Sequence, residues 1–82
     1  MEKRAYRLNS LSRTSEFCIS LLHLIREYDY DLDINFQVSN YPEFTIKIIV
    51  KPLKERYIVD SFMRKVESIA YMNFGEKINE DE

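Results

Sequence analysis

The spacing of apolar residues changes once, near Asp31, and this change limits the fold more than any other feature of the chain. Upstream of it, Phe17, Leu24, Tyr28, Leu21, Ile25, Cys18, Leu11 and Leu22 fall within one arc about 160° wide when residues 11–28 are wound as a helix. Arg13, Glu16, Ser20, His23, Arg26 and Glu27 fill the remainder, with Ile19 the one apolar residue on that side. The segment reads as an amphipathic helix. Ser10 or Ser12 serves as its N-cap, because a serine oxygen accepts one of the unpaired N–H groups of the first turn. Downstream, Asp31-Leu32-Asp33-Ile34-Asn35-Phe36-Gln37-Val38-Ser39 alternates polar with apolar, the period of a half-buried strand.

Asn40-Tyr41-Pro42-Glu43 has turn chemistry, and Phe44 to Lys51 alternates again with Phe44, Ile46, Ile48 and Val50 inward. Both strands bury even-numbered positions, so paired residue numbers sum to an even number. The simplest register sets Val38 opposite Phe44, Ile34 opposite Ile48 and Asp31 opposite Lys51. After Pro52-Leu53-Lys54-Glu55 two readings stay open. In one, Arg56-Tyr57-Ile58-Val59 is a third strand, and Asp60 caps a helix over Ser61–Phe74 that stops at Gly75. In the other, Pro52 opens a single helix that runs to Phe74. The first is preferred, because Asp60 is a good cap and Tyr-Ile-Val a poor helix start. In both, Val59 or Phe62, Met63, Val66, Ile69 and Ala70 share a face. Residues 1–10 read as a basic arm, 11–75 as one domain and 76–82 as an acidic disordered tail. The expected fold is α+β: an α-β-β-β-α two-layer sandwich, with a three-stranded antiparallel meander and two helices on one face.

Composition then narrows function. One Cys and one His provide neither a disulfide framework nor an ordinary zinc site, and no cofactor is implied. On one helix Cys18 and His23 point about 140° apart, too far round to form a nucleophile–base dyad. Cys18 lies within the apolar arc as a core residue, and His23 on the polar side. Asp29, Asp31 and Asp33 have the opening spacing of a calcium loop, but Ile34 stands where that loop needs glycine and Asn40 where it needs glutamate. The only glycine, Gly75, sits at a helix end, so no glycine-rich cradle for phosphate exists. The reading is non-enzymatic. The basic N-terminus is followed by no apolar core, and the greasy stretch from Cys18 to Ile25 is too short to span a bilayer. A lone thiol without an export signal places the chain in a reducing cytoplasm, with no membrane partner.

Charge is segregated along the chain. Residues 1–26 carry a net +3, 27–44 carry −5, 45–65 carry +4 and 66–82 carry −4. Such blocks give patches of both signs once folded. The basic patch, Lys51, Lys54, Arg56, Arg64 and Lys65 with Lys47, has the composition of a phosphate-contacting surface. The α-β-β-β-α order resembles that of double-stranded-RNA-binding domains, and the resemblance implies that Arg64 and Lys65, early in the last helix, meet phosphates.

A second resemblance spans roughly residues 20–71. A helix ending Leu24-Ile25-Arg26-Glu27, a strand, Ile46-Lys47-Ile48-Ile49-Val50, a short turn, Tyr57-Ile58-Val59 and a helix with Phe62 and Val66 follow one another in order. This layout resembles that of small phage-encoded anti-CRISPR proteins that inhibit the nuclease Cas9. It implies a compact, non-catalytic protein whose carboxylates imitate DNA phosphates; here those are Glu27, Asp29, Asp31, Asp33 and the tail.

Six Tyr and five Phe exceed the needs of one small core, and tyrosine is enriched at protein interfaces. The sequence therefore points to a protein-interaction module, a small inhibitor or regulator of a larger protein, with phage or mobile-element anti-defence as its setting. Asp29, Tyr30, Asp31, Asp33, Tyr41 and Tyr71 are the expected contact residues. A homodimer stays open, and nucleic-acid binding through the basic 47–65 region is the alternative.

Overall fold

The computed structural model describes residues 1–78. The first helix, α1 (Leu11–Tyr28), has the expected bounds, and Ser10 settles its start: the Ser10 Oγ accepts the Arg13 N–H at 3.1 Å while the Ser10 carbonyl accepts Thr14 N–H. Thr14, Phe17, Leu21, Leu24 and Tyr28 are its buried stripe. The two alternating segments are strands, numbered here β2 (Leu32–Ser39) and β3 (Phe44–Pro52), paired antiparallel. Ile46, Ile48 and Val50 are fully buried on the even-numbered face, as the alternation requires.

The register between these strands is two residues from the expected one. Val38 faces Ile46, Ile34 faces Val50, and Asp33 rather than Asp31 lies opposite Lys51. Side-chain parity fixes the face and tolerates any slip of two. The turn goes with the choice: Ser39 pairs with Thr45, two residues beyond the Glu43 that the expected register sets opposite it, and its hydroxyl donates to the Tyr41 carbonyl at 2.9 Å.

The third strand does not come from residues 56–59. These enter the second helix, α2 (Tyr57–Met72). Val59, Phe62, Met63, Val66 and Ala70 form one unbroken buried stripe at helical spacing. Burying Val59 contributes about 1.5–3 kcal/mol, which outweighs the few tenths per residue that Tyr, Ile and Val lose in a helix. Asp60 lies inside the first turn instead of capping it, where its charge still favours the helix N-terminus.

The place beside β3 is taken instead by β1 (Glu2–Leu8), the segment read on sequence as a basic arm. It runs antiparallel to β3 from Glu2 opposite Val50 to Leu8 opposite Phe44. Tyr6 and Leu8 enter the core, and Ala5, on the other face, is 1% exposed. A short strand, β4 (Glu76–Ile78), pairs antiparallel with β1, so the start of the expected tail is ordered sheet. Residues 79–82 of that tail lie outside the described residues. The sheet order is β2-β3-β1-β4. With β1 and β2 parallel and β3 between them, the chain has the split βαβ, ferredoxin-like topology, β-α-β-β-α-β. The fold is thus α+β, an antiparallel sheet with both helices on one face, as expected, but four-stranded and not a meander.

One core joins the layers. Tyr6 and Phe17 rings meet at 5.6 Å, Tyr28 and Phe62 at 5.3 Å edge to face, and the Tyr28 hydroxyl bonds Ser61 Oγ at 3.0 Å. Because Tyr6 lies in a central strand, Tyr6→Ala is expected to destabilise the protein by about 3–5 kcal/mol in urea denaturation. A residue of a free arm would change nothing.

Candidate functional site

The expected contact residues do not form one surface. Asp29, Tyr30 and Asp31 occupy the turn between α1 and β2, with Asp31 Oδ1 3.5 Å from Lys54 Nζ and its carbonyl accepting Leu53 N–H. Asp33 lies on the open sheet face, opposite Lys51. Tyr41 stands at the far end of the β2–β3 ribbon, and Tyr71 in the last turn of α2. All three tyrosines are exposed.

The basic set is likewise divided. Lys51 is on the open sheet face, Lys54 is held by Asp31, and Arg56 is exposed at the foot of α2. Arg64 and Lys65 are neighbours in sequence and point about 100° apart. Arg64 turns to a cleft shared with Arg4, Asp60, Met63 and Glu67. Lys65 turns to α1, 3.9 Å from Glu27 and over the Tyr28 ring. The open sheet face presents Lys3, Ala5, Arg7, Thr45, Lys47, Ile49 and Lys51 on its two middle strands, with no aromatic on which a base could stack.

The cleft beside Arg64, about 320 Å³, is internally neutralised. Arg4 bonds the Glu67 carboxylate and Lys77 stands 3.8 Å from the same group. Beneath this pair the buried Tyr6 hydroxyl lies close to both charges yet makes no hydrogen bond of normal geometry. Desolvation pushes its pKa up to about 12. A phenol whose folded pKa lies above its unfolded value near 10 binds its proton more tightly when folded, so its contribution is intact below pH 10 and is lost as pH rises towards 12. Tyr6→Phe is therefore expected to flatten the fall in unfolding free energy between pH 10 and 12, at little cost at pH 7, as read from paired urea titrations.

Cys18 and His23 do not meet on α1. Burial raises the Cys18 thiol, and the exposed His23 projects from another side of α1. Among the described residues no group of three or more His, Cys, Asp and Glu side chains could hold a metal ion, and no helix is long and apolar enough to cross a membrane.

The feature that sequence reading missed lies between the helices. A groove of about 450 Å³ is walled by Ser12, Arg13, Glu16 and Ser20 of α1 and by Ile69 and Met72 of α2. Asn73 closes its end, its side-chain amide donating to the Ile69 carbonyl at 2.9 Å. Met72 is 73% exposed, and Phe74, 65% exposed, lies under the Arg13 guanidinium at 4.8 Å. Phe74 also adopts the left-handed conformation (φ 58°) that ends α2. Glycine is the residue favoured there, and the sequence has one immediately after. Gly75, however, meets a different demand: a Cβ on it would stand 3.2 Å from the Ala70 carbonyl oxygen and 3.4 Å from Leu8. The helix stop is thus legible from Gly75, but the strained position falls on the aromatic residue before it. Phe74→Gly is expected to leave stability unchanged or raise it by up to about 1 kcal/mol, measured by chemical denaturation.

No protein-family model matches this chain, and no curated protein matches it in sequence.

Proposed function

We propose that the chain is a non-catalytic protein-binding module, a small cytoplasmic inhibitor or regulator of a larger protein, which docks through the end of its interhelical groove. The observation that carries this reading is Phe74: a large apolar side chain kept in solvent, in a backbone conformation that costs on the order of 1 kcal/mol, is retained for contact and not for folding. Met72 beside it adds an exposed apolar side chain of a type enriched at interfaces. Arg13 and Glu16 on the groove wall offer a polar rim.

The anti-CRISPR resemblance suggests a host defence nuclease as the class of target. Phosphate mimicry is not the favoured route to it, because Asp31 faces Lys54, Asp33 faces Lys51 and Glu27 faces Lys65, which leaves Asp29 alone of the four. Docking by apolar anchors fits the surface better. Nucleic-acid binding loses support for a matching reason: the five basic residues are spread over three faces, and three of them, Lys51, Lys54 and Lys65, already face carboxylates.

The test is capture from lysate of the host cell on the immobilised chain, with variants on both surfaces. A stoichiometric protein should be retained by the wild type and by Arg64→Glu/Lys65→Glu, and reduced at least ten-fold by Met72→Ser/Phe74→Gly. Retention of nucleic acid alone, lost with the charge reversal and steeply weakened by salt, overturns the reading.

A further inference from the structure

The two edges of the sheet are built differently. Among the described residues the β4 edge runs from Glu76 to Ile78 and carries Glu76 and Lys77. The β2 edge is eight residues long, its register with β3 runs unbroken from Leu32–Pro52 to Ser39–Thr45, and it has no proline, no lysine and no bulge. Proteins blunt exposed edges with these devices, because unpaired N–H and C=O groups template another strand. Among the described residues nothing pairs with the outer side of β2.

The apolar side of this edge is also incompletely covered. On β2, Val38 is 48% exposed, and Ile34 and Phe36 are half-buried. The flank of α1 turned away from α2 lies in the layer above and carries Leu11, Cys18, Leu22 and Ile25, of which Leu22 is 51% exposed. The exposed strip therefore has two heights, one in the sheet and one in the helices.

We infer that the β2 edge and the adjoining α1 flank form the seam of a homodimer, in which two β2 strands pair antiparallel about a two-fold axis and extend the sheet to eight strands. A single extended peptide would satisfy the strand edge and leave Leu11 and Leu22 in water. A second copy brings both layers. Self-pairing keeps even-numbered residues on one side whatever the register. With the axis through Phe36, Ile34 meets Val38 of the second copy, and Asp33, the only charge on the strand, meets Ser39. No like charges oppose each other. The apolar strip offers on the order of 500 Å² per copy, about 1,000 Å² in the pair, which places the dimer at the lower limit of specific interfaces and makes it concentration-dependent. This seam lies on the far side of α1 from the interhelical groove, so the inference stands independently of the docking reading above.

Sedimentation velocity of the full chain from about 1 µM to 1 mM tests it. The expected result is a shift from 9.9 kDa towards twice that mass. Val38→Lys and Leu22→Glu, both at partly exposed positions, should each raise the dimer dissociation constant at least ten-fold with unchanged circular dichroism. Concentration-dependent amide protection should fall on residues 32–39, and Met72→Ser/Phe74→Gly should leave dimerisation intact. A strict monomer at 1 mM overturns the inference. So does a dimer that ignores both seam substitutions, or one abolished by the groove variant.

Discussion

The seven-residue ladder between β1 and β3 is the interaction on which the rest of the molecule depends. It fills the centre of the sheet, and β2, β4 and both helices are arranged around it. Once β1 occupies that place, residues 56–59 have no strand to pair with beside β3, and their apolar stripe is satisfied by joining α2 instead. The ladder also brings Arg4 under α2, where Glu67 and Lys77 complete a charged cluster above the buried Tyr6 ring. Half-exposed ion pairs of this sort contribute little each; their role is to let a strand with an arginine facing the helices lie against a core.

Legibility in the sequence followed the clarity of each period. In α1, eight of the apolar residues lie on one arc and the cap is a serine, so both bounds were readable. The two strands of the β2–β3 ribbon alternate with Ile49 the one apolar residue on the open face, and were readable to the face, though not to the register, since parity is blind to a slip of two. In β1 the inward positions are Glu2, Arg4, Tyr6 and Leu8. Two of the four are charged, and the alternation that marks a strand is erased. Here tertiary context, an acid waiting on α2, overrides local pattern.

The candidate site was less visible for a similar reason. Tyr71 was singled out as an exposed aromatic, and exposed it is, but α2 walls the groove with Ile69 and Met72 and not with Tyr71. Phe74 was absorbed into the end of a helix, because a sequence shows where glycine stands and not which residue takes the left-handed turn. The acidic run 29–33 drew attention by charge density alone. Folding distributes it between a turn and a sheet face and sets lysines against two of its members. Charge counted along a chain is a poor guide to charge gathered in space.

The separation in sequence between the central strand and its partners has a consequence for synthesis. Ala5 waits for Lys47, about forty residues downstream, before its ladder can form. At roughly 5–20 residues per second on the ribosome, that is an interval of several seconds. Through it, Tyr6 and Leu8 must stay solvated while α1 is already able to coil behind them. Lys3, Arg4 and Arg7, which disguise this strand on paper, are charges of the kind that disfavour aggregation of an exposed apolar strand.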